Sequence, residues 1–367
     1  MVQNISWQGP PRHFTDYPLI EHRADYKPAR NHLLARSTKI AGLLGLYEYG
    51  SVGAPGISDI DLIAVIDSTI NKQEAIEFLS GSDAPAQLTR VLDQGTIKPM
   101  SASLFSRINV LGNITTTPIY APNPITPSTH DPNQTKFIDI ANIIDWLPER
   151  VLMLRSLLNQ PTLSCRRVLG GLGSFKHSTS TVSRVLGYEP EESIRFANIY
   201  DTLRSNWFTS KDDNFEKTVN LIKIGIATGQ SLLLKVTNHL VDLGILESNE
   251  SASGTMFWLN SSQAFIFDSQ EAITDHTTDT YQTLTHKISP VWVTILTKYA
   301  ASDGKISSLI AANTDLPQGY SYTEVQNNFG MILDERIKWI NESFEFLTTL
   351  GLTEHMYRFS HLRPRAN

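Results

Sequence analysis

The chain has 367 residues, 41% apolar and 19% charged, enough to bury the cores of two domains. A formal net charge of −6 leaves no electrostatic footprint for a long nucleic acid. A single cysteine, Cys165, excludes an intramolecular disulfide and a cysteine-based metal cluster. In a helix-like stretch it reads as a buried packing residue. No apolar run approaches the length expected of a membrane span. Trp7-Gln-Gly-Pro-Pro-Arg-His13 interrupts any signal-peptide core, so the expected location is cytoplasmic, with no membrane partner.

Residues 1–28 are rich in proline, aromatics and charge and read as an N-terminal arm wrapping over the first domain. Residues 29–122 carry the pattern of a small mixed-sheet domain. Ala29 to Leu44 is helix-like and runs into a strand at Leu46–Tyr49. A second strand covers Leu62–Ile66. Short helices follow at Lys72–Leu79 and Ala86–Leu92, then a strand from Thr96 to Phe105, and a last strand at Pro118–Tyr120. Pro122 to Pro132 holds four prolines among Ser, Thr and Asn, and marks the domain boundary. Residues 133–367 read as mostly helical, with a subdivision near 245–290. Helical spacing covers Phe137–Leu147, Arg150–Leu158, Ser164–Leu186 and Ile194–Trp207. It continues over Val219–Leu243, with Gly225 and Gly229 as candidate breaks. Thr255–Leu259 and Ala264–Phe267 read as a hairpin, and Val291–Tyr299 and Ile332–Leu350 as further helices. The expected class is therefore α+β: a small mixed sheet followed by a helical domain.

The chemistry concentrates in Leu46-Tyr-Glu-Tyr-Gly50-Ser51-Val-Gly-Ala-Pro-Gly56-Ile-Ser58-Asp59-Ile60-Asp61-Leu-Ile-Ala-Val-Ile66. It reads as strand, glycine-serine turn, loop and second strand. Side chains at i and i+2 share a face of a strand, so Asp59 and Asp61 project together with Ile60 and Leu62 buried behind them. Two adjacent carboxylates repel, and burying them unpaired is costly. A hard divalent cation with oxygen ligands, Mg²⁺ foremost, relieves that cost. Gly50 lets backbone N–H groups approach an anion, and the Ser51 hydroxyl can donate as well.

The run Tyr49-Gly50-Ser51, a short loop, then Asp59-Ile60-Asp61-Leu62 resembles the signature of the DNA polymerase β-like nucleotidyltransferase superfamily, in its small two-domain form. The resemblance implies an Mg²⁺-dependent nucleotidyltransferase. Asp59 and Asp61 would be the metal ligands and catalytic carboxylates, and Gly50 and Ser51 would cradle the phosphates of an NTP. The implied reaction transfers a nucleoside monophosphate to a hydroxyl, with loss of pyrophosphate. The acceptor stays open between a small molecule such as an aminoglycoside-like compound or sugar, a protein side chain, and an RNA 3′ end.

The pattern departs from the superfamily at the third carboxylate. Thr96 to Phe105 offers Ser101 and Ser103 but no acid, Asp93 precedes it, and Asp145 or Glu149 could supply a base from the helical domain. This gap motivates an alternative: a catalytically weak nucleotide-binding or interaction protein on the same scaffold. Winged-helix-like nucleic-acid binding by the C-terminal half is a weaker third reading, since the hairpin carries few basic residues. Within Arg166 to Ser178, Lys176 looks like the lysine that reaches the triphosphate from the second domain in related proteins, with Ser174 and His177 nearby. The competing reading is a surface lysine on a structural helix. His177 has no partner histidine at metal-site spacing. The active cleft is expected between the two domains, because a small open sheet needs a second wall to exclude water.

Overall fold

The structure, a computed structural model, describes residues 11, 13–19, 21–80, 85, 91, 97–158, 160–209, 213–243, 255–260, 263–268, 272–277 and 324–352. In chain order these form β1 (His13–Thr15), α1 (Tyr26–Ser37), β2 (Leu43–Tyr49), β3 (Asp61–Ile66), α2 (Lys72–Ser80), β4 (Lys98–Met100) and α3 (Ala102–Ser106). There follow β5 (Thr116–Tyr120), α4 (Pro132–Leu158), β6 (Thr162–Ser164), α5 (Cys165–Leu186), α6 (Glu191–Ser205) and α7 (Asn214–Asp242). The last are β7 (Thr255–Asn260), β8 (Gln263–Asp268), β9 (Ala272–Thr277) and α8 (Glu324–Leu350). The fold is α+β, with a small four-stranded mixed sheet and a helical region. The expected helices at Ala86–Leu92 and Val291–Tyr299 fall outside the described residues, apart from Val91 in a turn.

Two compact units divide the chain. The sheet unit comprises residues 18–135 and 335–359, and the helical unit residues 1–17, 136–334 and 360–367. The sheet unit thus includes the end of α8, which sequence alone assigns to the helical part.

In the sheet unit the strand order is β4-β3-β2-β5. β3 runs parallel to β4, and β2 is antiparallel to both β3 and β5. One face of the sheet forms the main core. Leu46, Ile60, Leu62, Ala64 and Ile66 pack there with Tyr26, Ala29 and Leu33 of α1, Phe78 and Leu79 of α2, and Leu347, Leu350 and Leu352. Burial of each such aliphatic side chain contributes roughly 1.5–3 kcal/mol, which fixes the end of α8 in this unit. Ile63 and Val65, one residue out of phase, are equally buried on the other face. Tyr47 and Phe105 meet with ring centroids 4.3 Å apart, and Trp339 Nε1 donates to the Leu104 carbonyl at 2.8 Å.

Of the expected strand Thr96–Phe105, the described residues form a strand over Lys98–Met100. Ser101 then caps α3, its hydroxyl accepting from the Leu104 amide at 3.2 Å. The proline-rich boundary lies along the sheet unit: the Ile125 amide donates to the Tyr47 hydroxyl at 3.0 Å, and the Ser128 amide to the Ser106 carbonyl at 2.6 Å.

In the helical unit α4 continues through Pro148, where two helices were expected. Proline removes one helical hydrogen bond, but Leu147, Val151 and Leu154 on either side are fully buried and hold the helix in place. α7 is likewise unbroken at its glycines. A Cβ on Gly225 would stand 2.8 Å from Leu154 Cδ1, and one on Gly229 2.3 Å from Val151 Cγ2. The glycines are where α7 meets α4, so they mark contact and not a break. Over Asn214–Leu240, α7 is long and apolar enough to cross a membrane by length and composition, a length no apolar run was expected to reach. The same stretch buries Leu221, Ile222, Leu232 and Val236 within the protein.

The described strand of the arm belongs to the helical unit. β1 pairs in parallel with β6, placing Phe14 opposite Leu163. Phe14 packs against Trp207 and Phe215, at centroid distances of 5.6 and 5.0 Å. β7, β8 and β9 form an antiparallel meander, one strand more than the expected hairpin.

Candidate functional site

The glycine-serine turn is built by its own backbone, and the loop that follows it is held from α1. Gly50 has φ +74°, a left-handed conformation that glycine adopts without a Cβ penalty, and there β2 ends. Beyond it the loop folds on itself. The Ser58 amide donates to the Ala54 carbonyl at 2.8 Å, and the Ala54 amide donates to the Ser58 hydroxyl at 3.0 Å. The Tyr26 hydroxyl spans this loop, donating to the Ser58 carbonyl at 2.7 Å and accepting from the Gly56 amide at 3.0 Å. Tyr26 is 1% exposed, so the loop is anchored to the core from which α1 starts. The sequence reading begins that helix at Ala29 and so misses Tyr26. A tyrosine two residues before Pro28 carries no local sign that its hydroxyl will hold a loop thirty residues away.

Asp61 opens β3, and Asp59 lies two residues before it. Ile60 and Leu62 are 1% and 2% exposed in the core behind β3. Asp59 and Asp61 alternate with them and belong to the opposite face; both are half-buried. Asp61 is the register partner of Tyr49. Its Oδ2 lies 3.6 Å from the position a Cβ would take on Gly50. The carboxylate therefore stands over the open Cα of the turn, next to the exposed Ser51. Two hard oxygen donors beside an uncrowded backbone fit a hard divalent cation whose other ligands come from phosphate and water.

Lys98 is a second residue that sequence reading misses. β4 pairs with β3 so that Lys98 aligns with Ile63, and Ile97 is buried in the same core as Ile60 and Leu62. Lys98 therefore belongs to the aspartate face. Its sequence signal is the alternation Ile97-Lys98-Pro99-Met100. Among the described residues no three His, Cys, Asp or Glu side chains converge as a metal-holding group. Asp93, and the side chains of Asp145 and Glu149, lie outside the described residues.

In the helical unit, Lys176 Nζ lies 2.7 and 2.6 Å from the two carboxylate oxygens of Asp201, and 6.0 Å from the Tyr200 ring centroid. Ser178 is buried and its hydroxyl donates to the Ser174 carbonyl at 3.2 Å. His177 keeps an exposed edge beside Trp146, their rings 6.5 Å apart. Protein packed around the imidazole lowers its pKa, and Arg184 and Arg150 lower it further against the opposing charge of Asp139. Asp139 itself is buried and held by Arg184 through two hydrogen bonds, at 2.7 and 2.8 Å. Cys165 is fully buried, and its thiol is pushed up to about 12 by desolvation and by Asp16, which makes it a packing residue and not a nucleophile.

Comparison with known proteins finds no matching family model, no similar curated protein and no similar solved structure.

Proposed function

We propose that the chain is a nucleotidyltransferase that takes an NTP as its Mg²⁺ complex and passes the nucleoside monophosphate to a hydroxyl acceptor, releasing pyrophosphate. The observation that carries this reading is the stacking of the Asp61 carboxylate over Gly50, with Asp59 two residues before it in the chain. Asp59 and Asp61 would hold Mg²⁺, which, when bound, neutralises charge on the phosphates as the oxygen–phosphorus bond to pyrophosphate breaks. Gly50 leaves room for a phosphate oxygen against the backbone, and Ser51 offers a hydroxyl donor at the same turn. The Tyr26 clamp holds the Gly56 and Ser58 part of the loop between the turn and the aspartates, so that segment needs little ordering on binding. The acceptor class stays open between a small molecule, a protein side chain and an RNA end, with the negative net charge disfavouring RNA.

A second reading is a nucleotide-binding protein with weak or no transfer. It is favoured by Lys98, a cation, on the aspartate face of β4. One experiment separates the two. The pure protein is incubated with each radiolabelled NTP, Mg²⁺ and a cell extract, and both the labelled product and pyrophosphate are followed. Labelled acceptor with stoichiometric pyrophosphate supports transfer. Tight Mg²⁺-dependent NTP binding without pyrophosphate supports the second reading, and neither binding nor release contradicts both.

A further inference from the structure

We propose that Lys98 is a ligand-binding member of the site, its ammonium contacting a phosphate oxygen of the nucleotide held at Asp59 and Asp61; this rests on the nucleotide–metal reading above. Asp61 opens β3 and Lys98 opens β4, and these two strands run parallel. Both side chains therefore stand at the same end of the sheet. The face follows from the neighbours. Ile60, Leu62 and Ile97 all enter one core, so Asp59, Asp61 and Lys98 belong together on the other side. Lys98 is aligned with Ile63, one pleat along from Asp61. Diagonal neighbours across a sheet lie about 7–8 Å apart, within reach of long side chains. Lys98 is half-buried, as expected of a lysine whose stem lies along apolar surface while its head reaches a polar site.

The charge balance gives this placement its meaning. Two carboxylates and one ammonium sum to −1, and one bound divalent cation turns that to +1. Such a site attracts a polyphosphate only once the metal is present, and Lys98 opposes the metal while favouring the anion.

The test uses the full chain and calorimetry with two probes: Mn²⁺ alone, and a non-hydrolysable nucleoside triphosphate in excess Mg²⁺. Lys98→Met should bind Mn²⁺ about fivefold more tightly, as expected for removing a unit charge about 8 Å from a divalent ion in water. It should bind the triphosphate about tenfold more weakly, through loss of a charge-assisted contact. Lys98→Arg, which keeps the charge and is the milder change for folding, should restore most of the triphosphate affinity. The proposal is overturned if Lys98→Met leaves both affinities unchanged or shifts both in one direction. If the wild-type chain binds neither probe, the underlying nucleotide–metal reading fails and this proposal with it. If binding is present and lost in Asp59→Ala/Asp61→Ala while Lys98→Met changes nothing, the lysine proposal fails alone.

Discussion

Asp61 Oδ2 stands 3.6 Å from the point where a Cβ would project from Gly50, an ordinary contact distance. Alanine therefore fits beside the carboxylate, but not comfortably on this backbone, because φ is +74°. Gly50→Ala should lower stability by about 1–2 kcal/mol, the cost of a left-handed conformation for an L residue. The added methyl covers the open Cα, so Mg²⁺-dependent NTP affinity should fall more than Mn²⁺ affinity. Urea unfolding and calorimetry on the same variant measure the two effects separately.

Tyr26 predicts a mutation that loosens the loop without touching a ligand. Tyr26→Phe removes a donor to the Ser58 carbonyl and an acceptor for the Gly56 amide, in a side chain that is 1% exposed. Leaving those groups without their partner should cost about 1–3 kcal/mol. Hydrogen exchange at Gly56 and its neighbours should speed up, while amides in the helical unit keep their protection.

Lys176 is paired with both oxygens of Asp201, so a phosphate would compete with that carboxylate. If Lys176 contacts the triphosphate, Lys176→Ala should weaken NTP binding by about 1.5–3 kcal/mol. Asp201→Asn should strengthen it by releasing the ammonium. Nucleoside monophosphates should respond little to either change. Equal effects on mono- and triphosphates, or none from Asp201→Asn, would leave Lys176 as half of a surface ion pair, which is worth at most about 1 kcal/mol.

Three histidines give a pH dependence with a definite sign. His32, His177 and His239 all have pKa values lowered from the ordinary 6.5, in each case first by desolvation. As pH falls through 6.5 the unfolded chain takes up protons that the folded chain does not. Stability should therefore decline from about pH 6.5 downward and level off below the lowered folded values. His177→Gln should flatten part of that decline, as read by urea midpoints at pH 7.5 and 5.5.

Some of this site was legible in the sequence, because strand alternation is local. Asp-Ile-Asp-Leu fixes which residues face the core once β3 is recognised, and Ile60 and Leu62 are buried accordingly. The residues that complete the site were not legible, because each depends on a distant partner. Tyr26 acts on a loop from α1, and Lys98 joins through the register of β4 against β3. The helices show the limit of local rules in the other direction. Pro148 and Gly229 both read as interruptions, yet α4 and α7 run through them because their neighbours pack tightly there. The end of α8 was assigned to the helical part because nothing local shows that Leu347 and Leu350 enter the core of the sheet unit.

Gly50, Ser51, Asp59 and Asp61 should together hold a nucleotide–Mg²⁺ complex. Calorimetric titration of each NTP into the full chain, with Mg²⁺ and with EDTA, tests it most directly. Mg²⁺-dependent binding is expected in the wild type and its loss in Asp59→Ala/Asp61→Ala, with the urea midpoint of the double variant close to that of the parent. Unchanged Mg²⁺-dependent affinity in the folded double variant would contradict it.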